Sequence, residues 1–394
     1  MSYAGERKII DADSHIIELD DLLHNFADPE NRHLIPPMMD QKFLTAPQEA
    51  HDAGKALFEK RKNDPAEAAK AEATMMDNKV PGWSRFGAFD SGERSRAMDL
   101  WGYKRQLVLP TFTYHQVGHS KDTAVMVAGA RALNRAMGNF CSRDSRLLAI
   151  GYIPLRAGPE VAVELMEQGF RDGCYSFMVD TNEPNPEARS FTHPDFDPVW
   201  ALYAERGVPF VVHVAVTGEY QAISKSFFNN GLKTVELGGD APAGALGMVS
   251  IAQTAQIFLA AMIFDDVFVR HPKLRGISME FGSVWIPSWL QAMDVGHDVF
   301  KIFTPHLQKR EIPPSEYARR HLKFAPFAGE PLDWVIGQVG PDLIVYASDF
   351  PHPEGTGDPI GKFEREMKEC DKETMDKFYF KNMEEVMGEA LLEA

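Results

Sequence analysis

Four side chains that could hold a metal ion stand at the ends of short apolar segments that are far apart in the sequence. Asp13 and His15 end the first segment, His213 ends one near the middle, and Asp349 ends one close to the carboxyl terminus. Carboxylate oxygens and imidazole nitrogens are ligands that divalent metals accept. A carboxylate at a metal can also hold a proton on its other oxygen, which suits it to activate water or to protonate a carbon.

The spacing of the first pair fits a strand. Residues i and i+2 of a strand point the same way, so Asp13 and His15 can reach one metal. Asp11 shares this parity but lies deeper, and we expect it to be less suited as a ligand. Two alternatives stay open. Asp13 could cap a helix while His15 is structural, and His213 could be a core histidine whose hydrogen bonds are satisfied within the protein.

Segments typical of strands and helices alternate along the chain, which predicts a parallel α/β fold. An amphipathic pattern predicts a helix at residues 159–170. Another helix is predicted at residues 197–206, where a turn-rich stretch precedes the segment and Gly207 follows it. In a closed α/β barrel the carboxyl ends of the strands form the active face, where the four side chains would meet. The predicted strands are eight, at residues 9–13, 106–110, 147–153, 174–180, 208–214, 274–280, 321–326 and 343–348.

Two segments interrupt the alternation. Residues 35–90 are rich in Ala, Lys, Glu and Asp and are too long for a plain loop, so we predict a helical insertion after strand 1 that serves as a lid or an oligomer contact. Residues 216–249 are glycine-rich and follow His213, which indicates either a mobile active-site loop or a variable surface excursion. The remainder of residues 1–394 is expected to form a single barrel.

Composition excludes several classes of protein. The net charge of −16 argues against a nucleic-acid partner. We find no apolar run near the roughly 18–20 residues that cross a bilayer, and the polar residues 1–8 do not resemble a signal peptide. Cys141, Cys174 and Cys370 are few and widely spaced, which is typical of reduced thiols in a cytoplasmic protein.

The motifs together resemble the amidohydrolase-related family, the branch of the amidohydrolase superfamily that includes aminocarboxymuconate semialdehyde decarboxylase and resorcylate-type decarboxylases. The resemblance implies a distorted (β/α)8 TIM barrel, one divalent metal and a small-molecule substrate, and makes a homodimer plausible. It rests on Asp-Ala-Asp-Ser-His at 11–15, Gly-Tyr-Ile-Pro-Leu at 151–155, His213, Arg-His-Pro-Lys-Leu-Arg at 270–275, Gly-x-x-Trp-Ile-Pro at 282–287 and Ala-Ser-Asp-Phe-Pro-His at 347–352.

The resemblance implies the metal ligands residue by residue. The first-strand pair is commonly His-x-His or Glu-x-His in the family, and here it is Asp13 and His15; the fifth-strand and eighth-strand ligands fall on His213 and Asp349. Two carboxylates and two imidazoles suit Zn²⁺, which we expect, and tolerate Mn²⁺. Two-metal members of the superfamily often use a carboxylated lysine at the end of the fourth strand. The predicted fourth strand here has no lysine, which favours one metal over two.

Other residues are candidates for catalysis or substrate binding. Decarboxylases of this family place a histidine near the end of strand six, where this chain has Glu280. Glu280 is predicted to orient a ligand or water or to act as an acid–base group, and a structural glutamate paired with an arginine is the alternative. His115, Arg156 and His352 stand after predicted strands and are substrate-binding candidates, although each could instead be structural.

Three functions remain open. The first is a metal-dependent hydrolase, in which metal-activated water attacks the carbonyl carbon of an amide, an ester or lactone, or a carbon–carbon bond beside a ketone, with Asp349 moving the proton. The second is a metal-dependent non-oxidative decarboxylase of an aromatic or unsaturated acid, which the substitution of Glu280 for histidine makes less favoured. The third is a metal-binding barrel without catalysis. We expect the hydrolase.

Overall fold

Seven parallel strands form one sheet whose order in space is their order in the chain. The computed structural model of the protein describes residues 2–38, 48–75, 77, 82–183, 185–214, 216, 231, 245–352 and 355–388. Each strand overlaps a predicted one, because each is an apolar run buried on both faces. The strands are β1 (Ile10–Asp11), β2 (Arg105–Val108), β3 (Leu147–Ile153), β4 (Cys174–Val179), β5 (Phe210–His213), β6 (Gly276–Met279) and β7 (Leu322–Phe324).

The eighth predicted strand, residues 343–348, lies where the barrel closes but is not a regular strand. On one side, the amide of Phe324 in β7 donates to the carbonyl of Leu343 at 2.9 Å; on the other, the amide of Ala12 donates to the carbonyl of Tyr346 at 2.9 Å. The segment therefore spans the gap between β7 and β1. The closed, uneven ring is a distorted TIM barrel, as predicted.

The prediction of a full eighth strand was wrong for a local reason. A strand on this segment needs its amides to donate to the carbonyls of β1. The amide of Ser348 donates instead to the side chain of Asp11, at 2.8 Å from Oδ1. Only isolated bridges form, between Ser14 and Phe350 and between Phe324 and Ile344.

Helices surround the sheet, and the predicted ones at 159–170 and 197–206 are confirmed as α7 and α8. Proline opens both, and Gly207 in the left-handed conformation ends α8. The α-helices are α1 (Leu22–Phe26), α2 (Gln48–Asn63), α3 (Pro65–Ala73), α4 (Ser91–Trp101), α5 (Thr113–Gly118), α6 (Thr123–Cys141), α7 (Pro159–Arg171), α8 (Asp197–Arg206), α9 (Ala245–Ser250), α10 (Gln253–Phe264), α11 (Val267–Arg270), α12 (Ile286–Phe300), α13 (Pro314–His321), α14 (Leu332–Val339), α15 (Pro359–Glu366), α16 (Lys372–Asp376) and α17 (Asn382–Met387).

The segment at residues 35–90 contains α2 and α3. Within α2, the buried ring of His51 donates from Nε2 to the carbonyl of Glu18 at 2.8 Å, which ties the segment to the chain that follows β1. Its role as a lid or an oligomer contact stays a prediction. The glycine-rich segment at 216–249 lies outside the described residues, except for residues 216, 231 and 245–249.

One helical stretch corrects an expectation from composition. Residues Ala245–Phe264 span 20 residues with a mean hydropathy of 1.7, so by length and composition alone they could cross a bilayer. No apolar run of this length was predicted from the sequence. Half of its most apolar window is buried inside the protein, which is typical of a helix that packs against a barrel wall.

Candidate functional site

A first group of donors meets at the carboxyl ends of β1 and β5. Asp13, His15 and His213 are all buried, and their ligand atoms lie within 4.8 Å of one another. Nε2 of His15 lies 3.2 Å from Oδ1 of Asp13 and 3.3 Å from Nε2 of His213. Three of the four predicted metal ligands are therefore together.

Hydrogen bonds to carbonyl groups fix the tautomers of both rings. Nδ1 of His15 lies 2.9 Å from the carbonyl oxygen of Pro110, and Nδ1 of His213 lies 3.0 Å from that of Val214. A carbonyl only accepts, so Nδ1 donates in each neutral ring and Nε2 carries the electron pair. Two such nitrogens and a carboxylate oxygen, 3.2 to 3.9 Å apart, repel one another unless a cation lies among them. This donor set fits a divalent metal.

A second group shares His15 with the first. It consists of His15, Glu280, Asp349 and His352, whose ligand atoms also lie within 4.8 Å of one another. Oε2 of Glu280 lies 3.3 Å from Nε2 of His213, so the two groups are adjacent. The structure thus places Asp349, the fourth predicted ligand, beside Glu280 and His352, and its binding of the same ion as Asp13 and His213 stays a prediction.

The backbone is strained where the carboxylates of the second group enter the site. Glu280 follows β6 with a φ of 56°, and Asp349 follows the closing segment with a φ of 52°. Residues other than glycine rarely adopt these positive angles, which cost of order 1–3 kcal/mol each. Both residues turn the chain sharply at the strand end, and this aims their carboxylates at the donor groups.

His352 is held in one orientation by a chain of hydrogen bonds. The hydroxyl of Thr111 donates to the carbonyl of Ile16 at 2.7 Å, so it can only accept from Nε2 of His352, 2.9 Å away. Nε2 therefore carries a proton. Nδ1 of the same ring faces Oδ1 of Asp349 at 2.9 Å and Oε1 of Glu280 at 3.6 Å. A proton that passes between this nitrogen and the carboxylate of Asp349 or Glu280 would lie beside the two donor groups.

A buried polar network lies beneath the site. Asp11 accepts hydrogen bonds from the hydroxyl of Ser348 at 2.6 Å and from the side-chain amide of Gln106 at 2.8 Å. Burial raises the pKa of the Asp11 carboxyl to about 7 despite these bonds. Arg94 donates to Gln106 and to the carbonyl of His15, and burial lowers the pKa of its guanidinium to about 10. Asp11 thus supports its neighbours, in agreement with its deeper predicted position.

Two predicted substrate-binding residues lie on the same face of the barrel but have protein contacts. The ring of His115, in α5, lies 4.2 Å from the ring of Tyr114, which lies 6.2 Å from that of His213. Arg156 lies 3.5 Å from the buried carboxylate of Asp180. Its guanidinium also donates to the carbonyl of Gly118. Arg156 thus joins the end of β4 to α5, and its role in binding substrate stays a prediction.

Glu18 was not among the residues predicted for the site. Its carboxylate accepts hydrogen bonds from the amides of Thr111, Phe112 and Thr113, at 2.9 to 3.0 Å from Oε1. This holds the segment that presents Thr111 to His352. A buried glutamate in an otherwise apolar run after β1 was the available signal.

Arg85 was missed as well. The side chain is buried beside the segment that follows Asp349, and its Nη1 lies 3.5 Å from the carbonyl of Thr356. Within the described part of the chain, its Nε has no hydrogen-bond partner. Burial lowers the pKa of the guanidinium, and the charge of Asp349 opposes this shift. Arg85 shares the segment 82–98 with Arg94 and Arg96, and nothing in the sequence marks one of these three arginines as the one beside the site.

Solved structures with the same fold include both hydrolase-type and lyase-type proteins. An amidohydrolase from Mycobacterium avium subsp. paratuberculosis is 22% identical and matches 98% of both chains with a TM-score of 0.73. A 5-carboxyvanillate decarboxylase from Novosphingobium aromaticivorans, complexed with manganese and 4-hydroxy-3-methoxy-5-nitrobenzoic acid, is 17% identical over 98% of both chains, with a TM-score of 0.62. A 2,6-dihydroxybenzoate decarboxylase from Rhizobium is 16% identical over 97% of this chain and 98% of its own, with a TM-score of 0.61.

A comparison with curated proteins found no match to the sequence. A family model, described as Amidohydrolase, matches residues 10–387 and so covers both donor groups and every strand of the barrel. The resemblance noted from the motifs is therefore confirmed, and the chain belongs to the amidohydrolase family.

Proposed function

We propose that the protein is a metal-dependent, non-oxidative decarboxylase of a small aromatic or unsaturated carboxylic acid. The observation that carries this proposal is the contact between His352 and Asp349 at the edge of the two donor groups. Loss of CO₂ leaves the electron pair of the broken carbon–carbon bond on the substrate carbon, and that carbon must receive a proton. A buried proton carrier beside a metal site meets this requirement.

The donor residues have separate tasks in this proposal. The metal would be held by Asp13, His15 and His213, with Asp349 or Glu280. When bound, it would act as a Lewis acid toward the substrate carboxylate. His352 and Asp349, whose Nδ1 and Oδ1 lie 2.9 Å apart, would carry the proton, and Thr111 fixes the ring. The buried surroundings exclude water, so the proton passes to the substrate carbon in preference to solvent.

Arg85 is suited to bind the anionic end of the substrate. A buried guanidinium is costly without an anion, and a substrate carboxylate would satisfy it with two parallel hydrogen bonds. The negative charge of Asp349 raises the pKa of Arg85 against the effect of burial, so negative charge in the site stabilises the guanidinium. This supports an acid as substrate.

The solved structures favour a lyase over the hydrolase that the sequence analysis preferred. Two of the three compared above carry decarboxylase names, and both align over nearly the whole of this chain. A metal-dependent hydrolase remains the second candidate, because an amidohydrolase has a TM-score of 0.73 to this structure. In that reaction Asp349 and His352 would accept the proton of the attacking water instead of delivering one to carbon.

One assay separates the two. The protein, loaded with Mn²⁺ or Zn²⁺, is incubated with hydroxybenzoates in one series and with esters, lactones and amides in the other. The decarboxylase proposal predicts release of CO₂ and a product shorter by one carboxyl group. Release of acid from the second series without CO₂ from the first would overturn it in favour of hydrolysis. The variant Asp349→Asn, loaded with the same metal, is the control for contaminating activity.

A further inference from the structure

The turn between β6 and α12 carries Glu280, and the carboxylate of Glu330 in the loop after β7 holds this turn. Glu330 accepts hydrogen bonds from the amide of Ser283 at 2.8 Å and from the hydroxyl of the same serine at 2.6 Å, both at Oε2. It also accepts from the amide of Val284 at 3.4 Å and from that of Phe327, in its own loop, at 3.2 Å. One side chain thus joins two loops at the carboxyl ends of neighbouring strands.

The turn has a backbone shape that is rare outside glycine. Glu280 has a φ of 56° and Gly282 has a φ of 69°, so two residues with positive φ stand within three positions. A Cβ built at Gly282 would lie 2.5 Å from Oε1 of Glu330, so the approach of the two loops requires glycine here. Nε1 of Trp285 donates to the carbonyl of Gly282 at 2.9 Å. Contacts around the turn therefore hold Glu280 in its strained conformation.

The position of Glu280 decides how the two donor groups are joined. Its Oε2 lies 3.3 Å from Nε2 of His213 in the first group, and its Oε1 lies 3.6 Å from Nδ1 of His352 in the second. Metal–ligand distances vary by only about 0.2 Å in protein sites. A movement of the turn by roughly 1 Å would therefore take this carboxylate away from a cation that the histidines bind.

The charge of Glu330 is stabilised where it lies. Burial raises the pKa of its carboxyl, and the hydrogen bonds from Ser283, Val284 and Phe327 oppose the rise. Ser283 and Val284 stand just before the first residue of α12, Ile286, where amides lack partners within the helix and negative charge is favoured. The carboxylate of Glu330 can therefore remain ionised and keep the two loops together.

We propose that Glu330 is a positioning residue of the site, which holds the carboxylate of Glu280 between His213 and His352 by fixing the turn at residues 282–284. This inference rests on the proposed function, because it gives Glu280 a place at the metal. Glu330 acts on the site through this turn, so its loss should change how the metal is held.

The test is the affinity of the full chain for Mn²⁺, measured by calorimetric titration of the metal-free protein. The electron paramagnetic resonance spectrum of the bound Mn²⁺ is a second readout. Glu330→Gln keeps the size of the side chain, but its amide nitrogen cannot accept a hydrogen bond. We expect the Kd for Mn²⁺ to rise roughly 10–100-fold, as it does when a group that orients a metal ligand is removed, and the spectrum to change.

The matched control is Asp294→Asn. Asp294 accepts hydrogen bonds from the amide of Ser315 at 2.9 Å and from its hydroxyl at 2.6 Å, which is the same kind of contact as that of Glu330 with Ser283. It joins the helices α12 and α13 and not two loops of the site. Asp294→Asn should lower the urea midpoint about as much as Glu330→Gln does, while its Kd for Mn²⁺ and its spectrum stay native.

A double variant tests whether Glu330 acts through Glu280. In a Glu280→Gln background, Glu330→Gln should not raise the Kd for Mn²⁺ further, because two residues that act as one unit are not additive. Losses that multiply would overturn the proposed route. Ser283→Ala removes a single hydrogen bond to Glu330 and should raise the Kd about threefold, so it decides the question if Glu330→Gln does not fold.

The remaining outcomes separate this inference from the proposed function. A native protein that binds no Mn²⁺ would overturn the proposed function and this role with it. A native protein that binds Mn²⁺, with the same Kd and spectrum in Glu330→Gln or Ser283→Ala folded by circular dichroism, would overturn the role alone. Equal changes in Glu330→Gln and Asp294→Asn would also overturn it, because a general loss of stability would then explain both.

Discussion

Nδ1 of His352 lies 2.9 Å from Oδ1 of Asp349, three residues earlier in the chain. The opposite nitrogen of the ring donates to Thr111, so Nδ1 is the nitrogen available to exchange a proton with the carboxylate. This pair is the proposed proton carrier of the site, and its parts can be tested separately.

The variant Asp349→Asn is expected to keep the bound metal and to lose turnover by roughly 10²–10⁴-fold, since an amide cannot carry the proton. Metal content by elemental analysis and kcat on the substrate identified by the CO₂ assay are the two measurements. Asp342→Asn, at an exposed aspartate just before the same segment, should leave both unchanged. Native turnover in Asp349→Asn would remove this residue from its assigned role.

Thr111 should act through His352. Thr111→Val keeps the shape of the side chain but removes both the acceptor for Nε2 of His352 and the donor to Ile16. We expect kcat to fall roughly tenfold, the equivalent of one lost hydrogen bond. Thr111→Ser restores the hydroxyl and should restore the rate. Equal rates in the valine and serine variants would show that the hydroxyl does not position the ring.

Arg85 should control the affinity for acidic substrates. Arg85→Met removes the buried cation, and KM for the carboxylated substrate should rise at least tenfold, because a charge-assisted pair contributes about 1.5–3 kcal/mol. Arg85→Lys should recover part of this affinity, since it keeps the charge but loses the bidentate geometry. Arg105→Met, at the start of β2, is the control. An unchanged KM in Arg85→Met would exclude Arg85 as the anion-binding residue.

The sequence predicted the barrel and the members of its site better than it predicted how they are joined. Asp13, His15, His213 and Asp349 were named because each ends an apolar run, and strand ends converge in a parallel barrel. Glu280 was named from the family resemblance and His352 from its position three residues after Asp349. The structure places all six in the two donor groups, and their roles stay predictions.

The arrangement of these residues in two groups depends on backbone turns. The residue types near those turns do not predict them. The left-handed angles of Glu280 and Asp349 are examples, because neither is the glycine that such angles usually indicate. Glu18 and Arg85 were missed for a related reason, since burial by distant segments cannot be inferred from neighbouring residues. The side-chain bond of Ser348 to Asp11 interrupts the eighth strand in the same way.

His321 should make stability depend on pH below neutrality, far from the metal site. Burial against Phe268 lowers the pKa of its ring to about 4. Between about pH 6.5 and pH 4, the unfolded chain therefore binds more protons than the folded chain. The free energy of unfolding falls as the pH falls through this range, by about 3 kcal/mol in total.

His321→Asn, which keeps a donor for the carbonyl of Leu274, should flatten this dependence. Urea unfolding at a series of pH values between 4.5 and 7 is the measurement. The same slope in the native protein and the variant would exclude this histidine as its source.

The proposed function requires Asp13, His15 and His213 to bind one divalent cation. Anomalous diffraction from crystals grown with Mn²⁺ tests it most directly, because the signal locates the ion without reference to activity. We predict a peak at about 2.0–2.3 Å from an oxygen of Asp13 and from Nε2 of both histidines, with Asp349 or Glu280 completing the set. The absence of a peak among these three side chains, in crystals grown with saturating Mn²⁺, would show that they do not form a metal site.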